Sequence, residues 1–67
     1  MIKNNVSVLI GMRKMSIAET ARLAGVAYNT VYKLYHDETT GIEFSTLNRL
    51  CYVLDCTPND LFKYVPD

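Results

Sequence analysis

Apolar residues recur along most of the chain at intervals of three and four. Val6, Leu9 and Ile10 share one side of a helix over about Asn5 to Arg13, with Arg13 one turn further along the same side. Gly11 inside it costs about 1 kcal/mol relative to alanine. A second helix covers Ile17 to Ala24. Ser16 and Glu19 in SIAE have capping-box spacing, in which the hydroxyl accepts from the Glu19 amide and the carboxylate reaches back. Gly25 supplies the left-handed residue that ends it. A third helix spans about Tyr28 to His36, with Val31, Leu34 and Tyr35 on its inner face. The loop DETTGIEF (37–44) follows, with a turn at Gly41. A fourth helix begins at the cap Ser45 and carries the stripe Leu47, Leu50, Cys51 and Leu54, flanked by Tyr52 and Val53. A fifth opens at TPND (57–60): Thr57 caps, Pro58 sits where a missing N–H is harmless, and Asp60 complements the helix dipole. Leu61, Phe62 and Val65 dock this helix and Pro66 stops it. The pattern predicts an all-α fold, a compact bundle of five short helices.

The second and third helices meet under a specific constraint. Helices crossing at about 90–120° through a three- or four-residue turn must approach closely. Ala21 is the small residue such an approach needs, and Gly25 tolerates the positive φ of the turn. Ala24, Val26, Val31 and Leu34 supply the apolar floor.

At about 100° per residue, an inward Val31 and Leu34 leave Asn29, Lys33 and His36 outward, with Tyr32 at the shoulder. Tyr28 and Thr30 flank the N-terminal end of the same face. Asparagine matches the adenine edge, lysine the guanine acceptors or a phosphate, and an aromatic ring the thymine methyl. Tyrosine and threonine hydroxyls suit phosphate oxygens. The other reading of Asn29 and Lys33 is a plain solvated helix face.

Composition adds limits. With 67 residues, 49% of them apolar and 21% charged, the chain is expected to form one domain over 1–67 of ordinary globular composition. No apolar run approaches the roughly 18 residues of a membrane helix. The N-terminal stretch MIKNNVSVLIGMRK has no signal-peptide cleavage pattern, so a soluble cytoplasmic protein is the expectation. Net charge is zero but unevenly spread. Residues 1–36 hold Lys3, Arg13, Lys14, Arg22 and Lys33 against Glu19 alone; residues 37–67 hold Arg49 and Lys63 against six acids. Such a split is read either as a basic and an acidic face or as chance placement of solvated charges.

Cys51 and Cys56, five apart in one helical stretch, are expected to diverge around the helix and make poor disulfide partners. With one histidine they do not form a zinc pattern. Asp37 and Glu38 could pass for paired catalytic carboxylates, but neither a nucleophile nor a cleft accompanies them. A chain this short is expected to offer no pocket of the usual size, no cofactor site and no enzymatic activity.

The stretch MSIAETARLAGVAYNTVYKLYHDE, followed by FSTLNRLCYVLDCTPNDLF, resembles the Cro/C1-type (lambda-repressor-like, or XRE) helix-turn-helix regulators over residues 5–65. The resemblance implies a five-helix fold and binding to a double-stranded DNA operator, with transcriptional repression or activation, usually as a homodimer on a two-fold site. Carried over by position, Tyr28, Asn29, Tyr32 and Lys33 face the bases, while Ser16, Ile17 and the loop after the third helix lie along the backbone. Four features depart from the family pattern. Thr20 stands for a large apolar residue, Ala27 for a Ser or Thr cap, Ile17 for a polar residue, and DETTG (37–41) for a basic stretch. Carboxylates beside phosphates weaken such binding. The competing reading is a protein-interaction or antitoxin-like module of the same fold. Tyr52, Tyr64 and Val65 form either a dimer contact or ordinary helix packing.

Overall fold

The structure, a computed structural model, describes residues 1–67. Strand β1 (Ile2–Asn4) is followed by helices α1 (Val6–Met12), α2 (Ile17–Ala24), α3 (Tyr28–Tyr35), α4 (Phe44–Leu54) and α5 (Pro58–Leu61), and then by strand β2 (Phe62–Tyr64). Five helices are present as the spacing predicts. No helix is long and apolar enough to cross a membrane. The fully buried side chains Val6, Ile10, Val31, Leu34, Leu50, Leu54 and Leu61 bring one residue or more from every helix but α2 to a common core. Helix α2 adds the small Ala21 and Ala24 together with Thr20, which is also fully buried. A buried threonine fits there because its hydroxyl donates back to the Ser16 carbonyl at 2.9 Å, so no polar atom is stranded.

Helices α1 to α4 end alike. A residue at the end of the helix takes a left-handed conformation, and its successor donates back across six residues. The left-handed residues are Lys14 (φ 55°), Gly25 (φ 69°), Asp37 (φ 57°) and Asp55 (φ 51°). The returning bonds run from Met15 N to Ile10 O, Val26 N to Ala21 O, Glu38 N to Lys33 O and Cys56 N to Cys51 O, all between 2.8 and 3.1 Å. This is the Schellman arrangement, which satisfies carbonyls the helix leaves unpaired. Only one of the four turns announces itself with glycine. Aspartate tolerates the left-handed region through its short polar side chain, whereas Lys14 has no such excuse.

The last Schellman turn revises the expectation for the cysteines. Asp55 ends α4 between them, so they do not share one helix. Cys56 folds back onto Cys51, the pair of positions that usually makes an apolar contact in this motif. Both thiols are free and partly buried. Burial, followed by the neighbouring Cys51 thiol and Asp60, pushes the Cys56 thiol from 9.0 up to about 11.

Two further boundaries differ from the pattern. Helix α4 starts at Phe44 rather than after Ser45, because the first helical bond is Leu47 N to Glu43 O at 2.9 Å. Helix α5 stops at Leu61, and residues 62–64 form a strand instead of continuing to Val65. That strand pairs antiparallel with β1, Ile2 opposite Tyr64 and Asn4 opposite Phe62, and the ribbon joins the two ends of the described chain. It continues on either side through Val65 N to Met1 O at 2.8 Å and Asn5 N to Leu61 O at 2.7 Å.

The capping box expected at Thr57 is complete, the one expected at Ser16 is half-formed, and Ala27 leaves α3 without a side-chain cap, as its residue type predicts. Thr57 and Asp60 form a complete capping box, and the Thr57 amide and hydroxyl hold the Asp60 carboxylate below the usual range. The Ser16 hydroxyl accepts from the Glu19 amide at 3.0 Å, but the Glu19 carboxylate turns toward Arg22 at 3.9 Å instead of reaching back. Ala27 caps α3 in an extended conformation with no side-chain bond.

These turns and caps set measurable stabilities. Ala27→Ser should raise unfolding free energy by about 1 kcal/mol, whereas Gly25→Ala, forced left-handed beside the Arg49 guanidinium, should lower it by at least about 1 kcal/mol. Urea titration of the two variants checks both signs. In the folded protein, alkylation of Cys56 at pH 8 should run about a hundredfold slower than in urea. A thiol raised from 9.0 to about 11 holds that much less thiolate at a pH below both values. Because the folded-state thiol lies above its ordinary value, stability is unaffected below pH 9 and falls as the pH rises from 9 toward about 11. Equal alkylation rates in the two states would contradict this placement of Cys56.

Candidate nucleic-acid interface

The left-handed Gly25 turns the chain out of α2, and an extended Ala27 delivers it into α3. Arg49, from α4, donates to the Gly25 carbonyl at 3.0 Å and so ties the corner to the body. Beneath it, Val31 and Leu34 are buried, which fixes the rotation of α3 about its axis. Tyr28, Asn29, Tyr32, Lys33 and His36 are consequently exposed, on the face the 100° spacing assigns to them. Thr30 is half-buried at the flank, and Tyr35 is half-buried against the core.

The exposed aromatic residues are ordered among themselves. Tyr28 and Tyr32, one turn apart, have ring centroids 6.1 Å apart; Tyr32 and His36 are at 4.4 Å. Tyr35 meets the imidazole edge-on at 5.1 Å. Residues 28, 32 and 36 thus make a continuous ridge, with Asn29 and Lys33 along one side of it.

The far end of α3 is held by β1. The Asn4 amide donates to the Leu34 carbonyl at 2.9 Å and to the Asp37 carboxylate at 2.7 Å, while its oxygen accepts from the Val6 amide at 2.9 Å. One side chain therefore ties the last turn of α3, the start of α1 and the ribbon. Asp37, an exposed acid just after α3, is a partner in this clasp. Glu38 and Glu43 are exposed close to α3 in sequence.

The remaining sequence-predicted positions divide. Ser16 is exposed but its oxygen is engaged as the α2 cap. Ile17 packs against the core, leaving its backbone amide in the first turn of α2 as its polar group. Arg13 donates to the Leu54 and Asp55 carbonyls at 2.9 and 3.2 Å, so its guanidinium is committed to the end of α4. Arg22 remains exposed on α2. The periodicity could not have singled out Asn4, Asp37 or Arg49, whose partners lie far away in the chain.

A groove of about 620 Å³ opens between β1 and residues 39–42, lined in part by Leu34, Asp37, Thr39 and Phe62. This is within the size range of ligand pockets, against the expectation that so short a chain has none. The chain's ends create it by pairing alongside the loop. Its one carboxylate, Asp37, is already bonded to Asn4.

Two short helices meeting at a left-handed glycine, the second standing outward on a packed base, define a helix-turn-helix unit. Residues 5–67 match the model of the Cro/C1-type HTH DNA-binding domain, and the chain belongs to that family. It is also similar to a protein of Bacillus subtilis (strain 168) described as the uncharacterized HTH-type transcriptional regulator YozG. The two are 32% identical over 63 residues, which make up 94% of this chain and 75% of that protein.

Removing the clasp should loosen α3. Asn4→Ala deletes three hydrogen bonds, one to a carboxylate, and should destabilise the fold by about 2 kcal/mol. Hydrogen exchange should also rise at His36, Asp37 and Glu38 before it rises at Leu50 or Leu54. A variant as stable as the parent, with unchanged exchange there, would show that the clasp does not hold α3.

Proposed function

We propose that this chain is a sequence-specific transcriptional regulator, a repressor, acting in the cytoplasm as a single helix-turn-helix domain over residues 1–67. It binds a double-stranded operator as a homodimer, each copy laying α3 in the major groove of one half-site about one helical turn from the other. The observation that supports this most is the outward stripe of α3. Tyr28, Asn29, Tyr32, Lys33 and His36 are all exposed on one helix whose opposite side is buried. Asn29 and Lys33 have hydrogen-bonding groups suited to base edges, and the Thr30 hydroxyl suits a phosphate at the flank. Ser16 and the Ile17 amide lie at the start of α2, where phosphate contacts fix register without reading sequence. No cofactor or small molecule takes part in this binding, and no membrane.

Attraction to the backbone is modest. Lys14, Arg22 and Lys33 are the exposed cations available to it, Arg22 already beside Glu19 at 3.9 Å, and Glu38 and Glu43 oppose them. A dimer neutralising about six phosphates gives a log–log salt slope near −5, below that of strongly basic regulators. The acidic stretch after α3 favours one competing reading, a protein-interaction or antitoxin-like module. The two differ in their response to charge reversal.

Fluorescence anisotropy against random and genomic duplexes at several salt concentrations tests the proposal. A preferred duplex should emerge at low salt, and Lys33→Glu should weaken its binding at least tenfold while the circular dichroism spectrum stays unchanged. Absence of any preferred duplex at low salt, or full binding by the charge-reversed variant, would overturn it in favour of the protein partner. A reporter promoter carrying the selected duplex should fall in output when the protein is supplied; a rise would contradict repression.

A further inference from the structure

The outward face of α3 is poor in the groups that read guanine and rich in apolar ring surface. Arginine and glutamine are absent from it, and Lys33 is its one cation. Bidentate Arg or Lys to guanine is the commonest specific major-groove contact, so this face carries at most one such reader. In their place stand Tyr28, 51% exposed, and Tyr32, 38% exposed, with the Asn29 amide beside them. The one apolar group that B-DNA displays in its major groove is the C5 methyl of thymine, and asparagine pairs with adenine N6 and N7.

The rings are also held in place before any contact is made. Tyr32 lies between Tyr28 at 6.1 Å and His36 at 4.4 Å, and His36 is backed in turn by Tyr35 at 5.1 Å. A side chain braced on both sides loses less rotamer freedom on binding than a lone surface tyrosine. Its ring therefore offers a fixed apolar edge to whatever enters the groove.

We propose, resting on the reading of α3 as the groove helix, that the Tyr28–Tyr32 ridge recognises thymine methyl groups. Asn29 reads an adjacent adenine, so the half-site beneath α3 is A·T-rich. Tyr32 is the specificity-determining residue through its ring, not through its hydroxyl. The phenolic oxygens are left for phosphate contacts, which position without specifying.

The test uses the full chain and DNA altered by one methyl group. A duplex is first selected from a random library at low salt. Each thymine in it is then replaced singly by deoxyuridine, which keeps every hydrogen-bonding group and deletes only the 5-methyl. At one or two positions per half-site, binding should weaken about fourfold, the factor for withdrawing one methyl from an apolar contact. Tyr32→Phe, which keeps the ring, should retain that discrimination. Tyr32→Ala should lose the discrimination between thymine and deoxyuridine at one such position. A G·C-rich selected site would overturn the inference and leave the DNA-binding reading standing. So would uniform tolerance of deoxyuridine by the parent chain, a result that needs no variant to fold. Failure to select any duplex would overturn both.

Discussion

Helix direction in this protein is set by a left-handed residue placed at the end of each of the first four helices. Each such turn reverses the chain within two residues and returns a hydrogen bond to a carbonyl the helix cannot satisfy itself. The helices are short, between 7 and 11 residues for α1 to α4, and would be marginal in isolation. Their stability comes from packing, and packing is possible only because the turns aim their apolar sides at one another. The turn at Gly25 has an added consequence. By sending α3 across α2 over the small residues Ala21 and Ala24, it buries Val31 and Leu34 and leaves the opposite side of α3 to solvent.

The ends of the chain complete what the turns begin. Three residues before α1 and three after α5 pair as a ribbon, and Asn4 in that ribbon clasps the last turn of α3. A two-stranded ribbon is weak by itself, so its role here is one of closure. It brings residues at opposite ends of the chain against the helix whose outward side matters most. Arg13 and Arg49 work in the same sense, each committing its guanidinium to a helix-end carbonyl. Two of the seven basic side chains are thereby structural.

Much of this was legible in the chain. The spacing of Val31 and Leu34 predicts the rotation of α3, and Gly25, Ser16, Thr57 and Pro58 predict where helices begin and end. The features that escaped have a common physical cause. Strands of three residues are too short for alternation to stand out, and Ile2 and Tyr64 become neighbours only through pairing across 62 positions. Lys14, Asp37 and Asp55 adopt a conformation that glycine normally advertises. The meeting of Cys51 and Cys56 depends on one of those hidden turns. Within the candidate interface, the exposed residues could be read from helical phase. The clasp of Asn4 on Leu34 and Asp37 could not, since nothing local to Asn4 indicates it.

One side of α3 is free, and its groups are proposed to fit a DNA groove. Amide chemical-shift mapping of the labelled protein, titrated with its selected duplex at low salt, tests this most directly. The largest shifts should fall on Tyr28, Asn29, Tyr32 and Lys33, with smaller ones at Ser16 and Ile17, and with Leu50, Leu54 and the β1–β2 ribbon nearly still. Shifts concentrated on the ribbon or on Leu23, Tyr52 and Val53, with α3 unmoved, would contradict the account.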